Sequence, residues 1–363
     1  MSSYSILLPV YLQQLGGSYL DVGLLGTASG IPYIILPLIV GILCDRFGRK
    51  IFFHLGLLMA VVNAFLLMLT QAVYEVILIR AISSIAYAFF LPSSTAVVSD
   101  FSGVIERVRA LGYLNFSWAT GMLIGPFFGG LIVERYDFTI LFLISIFIGL
   151  ASFIPVLFKP IDMDRQLLEQ SKALKITRDK KWSALYPVFL IIFIVSMVLS
   201  MAFNVFPAYL NNLDFSPSYI GALFAIFGLT RALTFMQVSR ITRIGDNISV
   251  IIGMLCVSLA TFAIFVSNSL YPYVIIMIVL GFGLGILIPL SKAIASKVVK
   301  RKNLGSAIGA TESIFGVGWT LSPFLGGLMV YSALGQASPY LMCSILSLIT
   351  LVPVILLMRK YLV

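Results

Sequence analysis

Three charged residues fall inside apolar stretches of bilayer length: Arg80, Arg231 and Glu312. A charge at such depth is costly and by default functional. Glu312 is the sole carboxylate well inside a stretch. It lies nine residues past Asn303, and Arg231 lies nine before Arg240, so both sit about 13 Å from one membrane edge at 1.5 Å per residue. Equal depth permits coupling, directly or through water. Glu312 shares a helix face with Gly309, Gly316 and Trp319, and is expected either to carry protons or contact substrate, or to form a structural ion pair. Arg80 has Ser83, Ser84 and Tyr87 on its face, a polar stripe expected to line a cavity. Ser196, Ser200 and Asn204 recur every four residues along one stretch and are weaker candidates of the same kind. Lys292, near the end of another, is expected only to snorkel.

Other chemistries find no residues to carry them. Cys44, Cys256 and Cys343 have neither metal-ligand nor CxxC spacing. The lone His54 opens a helix beside a basic turn, without the partners a proton carrier needs. No GxxxxGK[ST] loop and no Ser-His-Asp set occurs, so neither ATP-driven pumping by this chain nor enzyme catalysis is expected, and no cofactor. Work across a membrane would have to be driven by a gradient, or be facilitated.

At 60% hydrophobic and 10% charged over 363 residues, the chain is a polytopic all-α membrane protein. Twelve candidate spans fall at roughly 1–16, 20–44, 51–71, 75–99, 109–133, 138–158, 184–210, 218–240, 248–268, 272–297, 304–330 and 337–358. The longest polar stretch, Lys159 to Trp182, separates two halves, 1–158 and 183–363. Of 24 Lys and Arg, only Arg135 falls in an opposite turn and only Arg80 and Arg231 deep within spans. The remainder crowd the side of the 159–182 loop, which the positive-inside rule makes cytoplasmic, together with the C-terminus. The net charge of +10 therefore sets topology in a cell (plasma) membrane and does not mark a nucleic-acid binder.

The two halves are copies. Gly112, Gly121, Gly125, Pro126, Gly129 and Gly130 are matched at an offset of 197 by Gly309, Gly318, Ser322, Pro323, Gly326 and Gly327. Upstream, at an offset of 198, the run Pro9 to Leu15 answers Pro207 to Leu213, and Ser18 with Gly23 answers Ser216 with Gly221. Parallel repeats in a membrane chain are a transporter construction. The alignment also sets Tyr33 against Arg231, and Asn115 against Glu312. By the same offset Met1 falls in the middle of the first helix, which is incomplete as given. A start upstream of Met1 is the expectation.

The turn Gly41-Ile42-Leu43-Cys44-Asp45-Arg46-Phe47-Gly48-Arg49-Lys50 resembles the signature loop of the major facilitator superfamily, with Arg240 to Asp246 as its degenerate copy. Arg80 with Ser84 and Ala86 is similar to that family's fourth-helix motif, though glycines are more typical at the latter two. The Gly112–Gly130 pattern resembles its antiporter motif, and a plain packing seam is the other reading. The resemblance implies two six-helix bundles rocking about a midplane site, gated by Gly41, Asp45, Arg46, Gly48, Arg49 and Lys50. It also implies proton-coupled export of a hydrophobic or amphipathic small molecule by a monomer, as in drug:proton antiporters. A porter for small anions, held by Arg80 and Arg231, is the alternative. A non-transporting membrane sensor or assembly partner is a third.

Overall fold

A computed structural model describes residues 2–47, 49–101, 107–154, 182–267, 269–298 and 304–362; at some positions, among them Gly41, Asp45, Arg46, Arg49, Gly112 and Asn115, it describes the backbone alone. Gly48 and the stretch 155–181, which holds most of the expected central loop, lie outside the described residues. Fourteen α-helices and no strand occur among those described. They are α1 (Ser2–Ser5), α2 (Leu8–Gln14), α3 (Tyr19–Phe47), α4 (Arg49–Met68), α5 (Val73–Phe101), α6 (Arg107–Arg135) and α7 (Phe138–Ala151) in the first half. The second half holds α8 (Tyr186–Ser200), α9 (Phe206–Asn212), α10 (Pro217–Ile241), α11 (Asp246–Val266), α12 (Leu270–Val298), α13 (Leu304–Met329) and α14 (Ser338–Leu362).

Helices are what such a sequence must form, because hydrocarbon offers the backbone no partners and a helix satisfies its own. Eight segments among the described residues are long and apolar enough to cross a membrane. The 29-residue α6 and the 26-residue α13 are further long helices, richer in Gly, Ser and Thr. These are the two helices that carry the glycine-proline pattern.

The repeat is visible down to local irregularities. Between α8 and α9 the helix widens into one π turn, Met201–Val205. Pro207 supplies the cause: lacking an N–H, it cannot bond the Phe203 carbonyl one turn back. Pro9, 198 positions earlier, stands at the break between α1 and α2. After α2 the chain reverses at Gly16 (φ +86), and after α9 at the corresponding Asp214 (φ 60). Ser18 then pairs with Asp21 to cap α3, its Oγ accepting from Asp21 N at 3.3 Å and its own N donating to Asp21 Oδ2 at 2.8 Å. The matching Ser216 caps α10 by accepting from Tyr219 N at 3.4 Å.

The two halves meet along two seams, α3 against α13 and α6 against α10. Within the halves, α4 and α7 flank the first and α11, α12 and α14 the second, closing a large apolar core beside a smaller cluster of Val40 and Phe52.

Candidate functional site

The seams explain the glycine pattern. A Cβ on Gly23 would stand 2.6 Å from the carbonyl oxygen of Pro323, and one on Gly327 2.7 Å from that of Tyr19. In the second seam Gly221 abuts the Pro126 carbonyl, and Gly130 that of Pro217, closer still. Partner for partner these contacts are related by the repeat offsets. Each glycine doublet packs on two sides. Gly129 meets Ser3 of its own half while Gly130 crosses to α10; Gly326 meets Met201 of its own half while Gly327 crosses to α3. Gly318 packs on Phe193 and Ser196 of α8. So the motif is a backbone-to-backbone seam in both halves, the geometry that small residues permit in membranes. Gly121, Gly125 and Gly309 lie on the same helices.

At the end marked by the turns near Gly16, Asp137, Asp214 and Gly335 the halves are also latched by polar groups. Gln13 Nε2 donates to Asn212 Oδ1 at 2.9 Å, and Asn211 Nδ2 donates to Gln13 Oε1 at 3.0 Å. Tyr19 Oη donates to Gln336 Oε1 at 3.1 Å, and Ser218 N to Glu134 Oε2 at 3.1 Å. That end is sealed. Deeper along α3 and α13, Thr27 Oγ1 donates to the Thr320 carbonyl at 3.0 Å and Trp319 Nε1 to Ser29 Oγ at 3.3 Å.

Below the seal lie the charged groups. Glu312 Oε1 is 3.1 Å from Lys292 Nζ, both side chains about half exposed. Tyr33 is close enough to sense the Glu312 charge. Lys292 thus does more than snorkel. The reason lies in chain order: α12 ends at Val298 and α13 begins at Leu304, so residues a similar distance before and after these ends come to a similar depth. That arithmetic was available in the sequence. The expected Glu312–Arg231 coupling is not a contact. Arg231 instead lies along α10, its Cζ 5.4 Å from the Phe227 ring and 5.7 Å from the Phe235 ring, with Nη2 3.5 Å from Met122 Sδ of α6.

Arg80 is buried, donating from Nη1 to Ser5 Oγ at 2.7 Å, with Tyr4 and Tyr87 near its charge. Asn204, one of the weaker candidates, is packed between helices. It is buried, donates to the Ser200 carbonyl at 2.9 Å, and abuts Gly26 of α3. Ser200 donates to the Trp319 carbonyl at 2.6 Å, and Ser196 to Phe193 at 2.8 Å. This three-residue polar stripe satisfies backbone carbonyls, Ser196 and Asn204 those of their own segment and Ser200 that of Trp319 on α13, a job periodicity alone cannot distinguish from ligand contact. His54 likewise makes a local bond, Nδ1 to the Lys50 carbonyl at 2.6 Å. The side chains of Asp45, Arg46, Arg49 and Asn115 lie outside the described residues.

Comparison with known proteins agrees with this architecture. The sequence profile described as Major Facilitator Superfamily matches residues 1–189 and again 188–362. The chain is 27% identical over 327 residues to "Multidrug resistance protein 1" of Bacillus subtilis, covering 88% of this chain and 83% of the relative. It is 25% identical over 342 residues to "Multi-drug resistance efflux pump PmrA" of Streptococcus pneumoniae, covering 88% and 82%. Among solved structures, a POT family transporter in complex with 5-aminolevulinic acid superposes with TM-score 0.82 at 13% identity, over 99% of this chain and 94% of that one. A bacterial homologue of the human lysosomal transporter Spinster, in an inward-facing and unoccupied conformation, superposes with TM-score 0.78 at 14% identity over the same shares.

Proposed function

Because the chain belongs to the Major Facilitator Superfamily, and is therefore a transporter and not an enzyme, we propose that it exports hydrophobic or amphipathic small molecules in exchange for protons. Export is supported by relatives that bear the names of multidrug resistance proteins and efflux pumps. The positive-inside rule puts the 159–182 loop and the C-terminus in the cytoplasm. The sealed end then faces outward and the described conformer is closed to the outside. The functional units are the halves 1–158 and 183–363, working as a monomer in the plasma membrane.

One observation carries the coupling: Glu312 pairs with Lys292 at 3.1 Å across the α12–α13 hairpin, beside Tyr33 of the opposite half. Ionised, Glu312 holds the lysine and the local charge is balanced. A proton on Glu312 removes the attraction and leaves Lys292 as an unbalanced cation, so cargo and proton alter each other's fit in one place. A change confined to one carboxylate can then bias the equilibrium between conformers, provided the two differ in their affinity for the proton. The test is dye transport in proteoliposomes with and without an imposed pH gradient. Glu312→Gln is expected to abolish gradient-driven movement while dye exchange across the bilayer stays measurable. Gradient-driven transport at the parent rate in that variant would remove Glu312 from the mechanism.

A further inference from the structure

We propose that Arg231 forms an anion subsite, taking cargo that carries a carboxylate or similar oxyanion on an aromatic body. The ligand class rests on the exporter reading above; the site itself rests on geometry. Phe227, Arg231 and Phe235 recur one turn apart on α10, and the two rings hold the guanidinium between them at 5.4 and 5.7 Å. A ring face steadies a cation without filling its hydrogen-bonding edge. The polar contact Arg231 makes among the described residues is with the Met122 sulfur at 3.5 Å, and a thioether is a weak acceptor. Neither ion pair found among the described residues involves it. A guanidinium carries five donors in a fixed fork, and at about 13 Å from the membrane edge a charge with so few partners is costly.

Charge bookkeeping around the cavity singles out the same residue. On the α3–α13 side, Glu312 and Lys292 balance each other. On the α6–α10 side, repeat-related Arg231 has no ion-pair partner among the described residues, so its charge is left for a ligand to meet. The guanidinium fork suits a two-oxygen anion. The neighbouring surface suits an aromatic body: Phe227 lies 5.9 Å from Phe203, which lies 6.2 Å from Trp319, a chain of rings running from one seam to the other. Contact with Met122 puts the subsite where the two halves meet, so its shape changes when they move.

Calorimetric titration of purified full-length protein with 2-naphthoate and with its neutral counterpart 2-naphthalenemethanol tests this. The parent is expected to bind naphthoate at least about tenfold tighter, the worth of one hydrogen-bonded charge contact. Arg231→Gln should bring the ratio of the two dissociation constants to about one, and Arg231→Lys should keep part of it, since an ammonium retains charge without the fork. Equal affinity for the two probes in the parent, or an undiminished preference in Arg231→Gln, overturns the subsite. Gradient-driven dye export by the parent, measured beside it, separates the two readings. Export without anion preference removes the subsite and leaves the exporter; anion preference without export does the reverse.

Discussion

Gly221→Ala is expected to pry open the sealed end. The added Cβ would collide with the Pro126 carbonyl oxygen, and its next neighbours are the Pro126 carbonyl carbon at 3.0 Å and Phe127 Cα at 3.3 Å. All three atoms are backbone, so no side-chain rotation relieves the clash. Overpacking of this kind costs about 1–3 kcal/mol. Alanine also favours the helix over glycine by roughly 1 kcal/mol, but α10 stays helical whichever end is open, so that gain cancels between conformers. The clash exists only while the seam is shut. The sealed-to-open ratio should therefore fall by a factor of about 5 to 150. Gly23→Ala, facing the Pro323 carbonyl at 2.6 Å in the other seam, should add a second factor, because the two sites share no partners.

The assay is a pulsed-EPR distance distribution between spin labels on cysteines placed at Ser18 and Asp214, with the three native cysteines changed to serine. The parent should show the short, sealed separation, and Gly221→Ala a new longer population, larger in the double variant. Gly228→Ala is the control, since its Cβ would meet the Met122 carbonyl oxygen at an ordinary 3.6 Å. An unchanged distribution in the double variant, or an equal shift from Gly228→Ala, would refute the assignment of the seam as the outer gate.

Three further outcomes follow from the same reading. Asp45→Asn or Gly48→Val should reduce transport severalfold while membrane insertion, measured by yield and monodispersity, is unaffected; transport at the parent rate would deprive the turn of a gating role. Cysteines at Lys175 and Asp214 should react with impermeant reagent from opposite sides of the membrane, and labelling of both from outside would reverse the orientation. Glu134, at the outer end of α6, is held below its ordinary value of 4.5 by hydrogen bonds from Ser218 and Ser216, donors it keeps only while the seal is shut. Its contribution to sealing is thus complete above pH 4.5 and lost as pH falls through the depressed value. The long-distance EPR population should grow on acidification in the parent, and Glu134→Gln should flatten that growth; an identical pH response in the variant would exclude Glu134 as the source.

What was legible in the sequence was whatever the repeat wrote twice. Pro9 and Pro207, Gly23 and Gly221, and the doublets Gly129-Gly130 and Gly326-Gly327 could be aligned before any coordinates, and each pair occupies matching places in the fold. The partners were not legible, because a glycine announces close approach without saying to what. Gly130 and Gly129 are adjacent in sequence yet face different halves. The role of Lys292 was hidden for another reason: its depth on α12 alone marks it as a residue near the membrane edge, and its partner Glu312 stands on a different helix. Ser196, Ser200 and Asn204 left two readings open, because a polar stripe that satisfies carbonyls has the same four-residue period as one that lines a cavity.

Where the copies agree and where they part follows from what each place must do. A seam between two rocking halves has to close on both sides of the pseudo-symmetry axis, so the same small residues serve at Gly23 and Gly221 and at Gly130 and Gly327. A coupled site has no such need. Had Glu312 been copied, a second carboxylate would stand in place of Asn115, and its charge would raise the cost of keeping both ionised at depth. Had Arg231 been copied, the guanidinium in place of Tyr33 would compete with Lys292 for Glu312. The repeat-related positions Tyr33 and Arg231, Asn115 and Glu312, Met122 and Trp319 instead hold unlike residues. On the proposed reading the seams can therefore stay symmetric while the charges do not, with the Glu312–Lys292 pair on the α12–α13 side and Arg231 on the α6–α10 side.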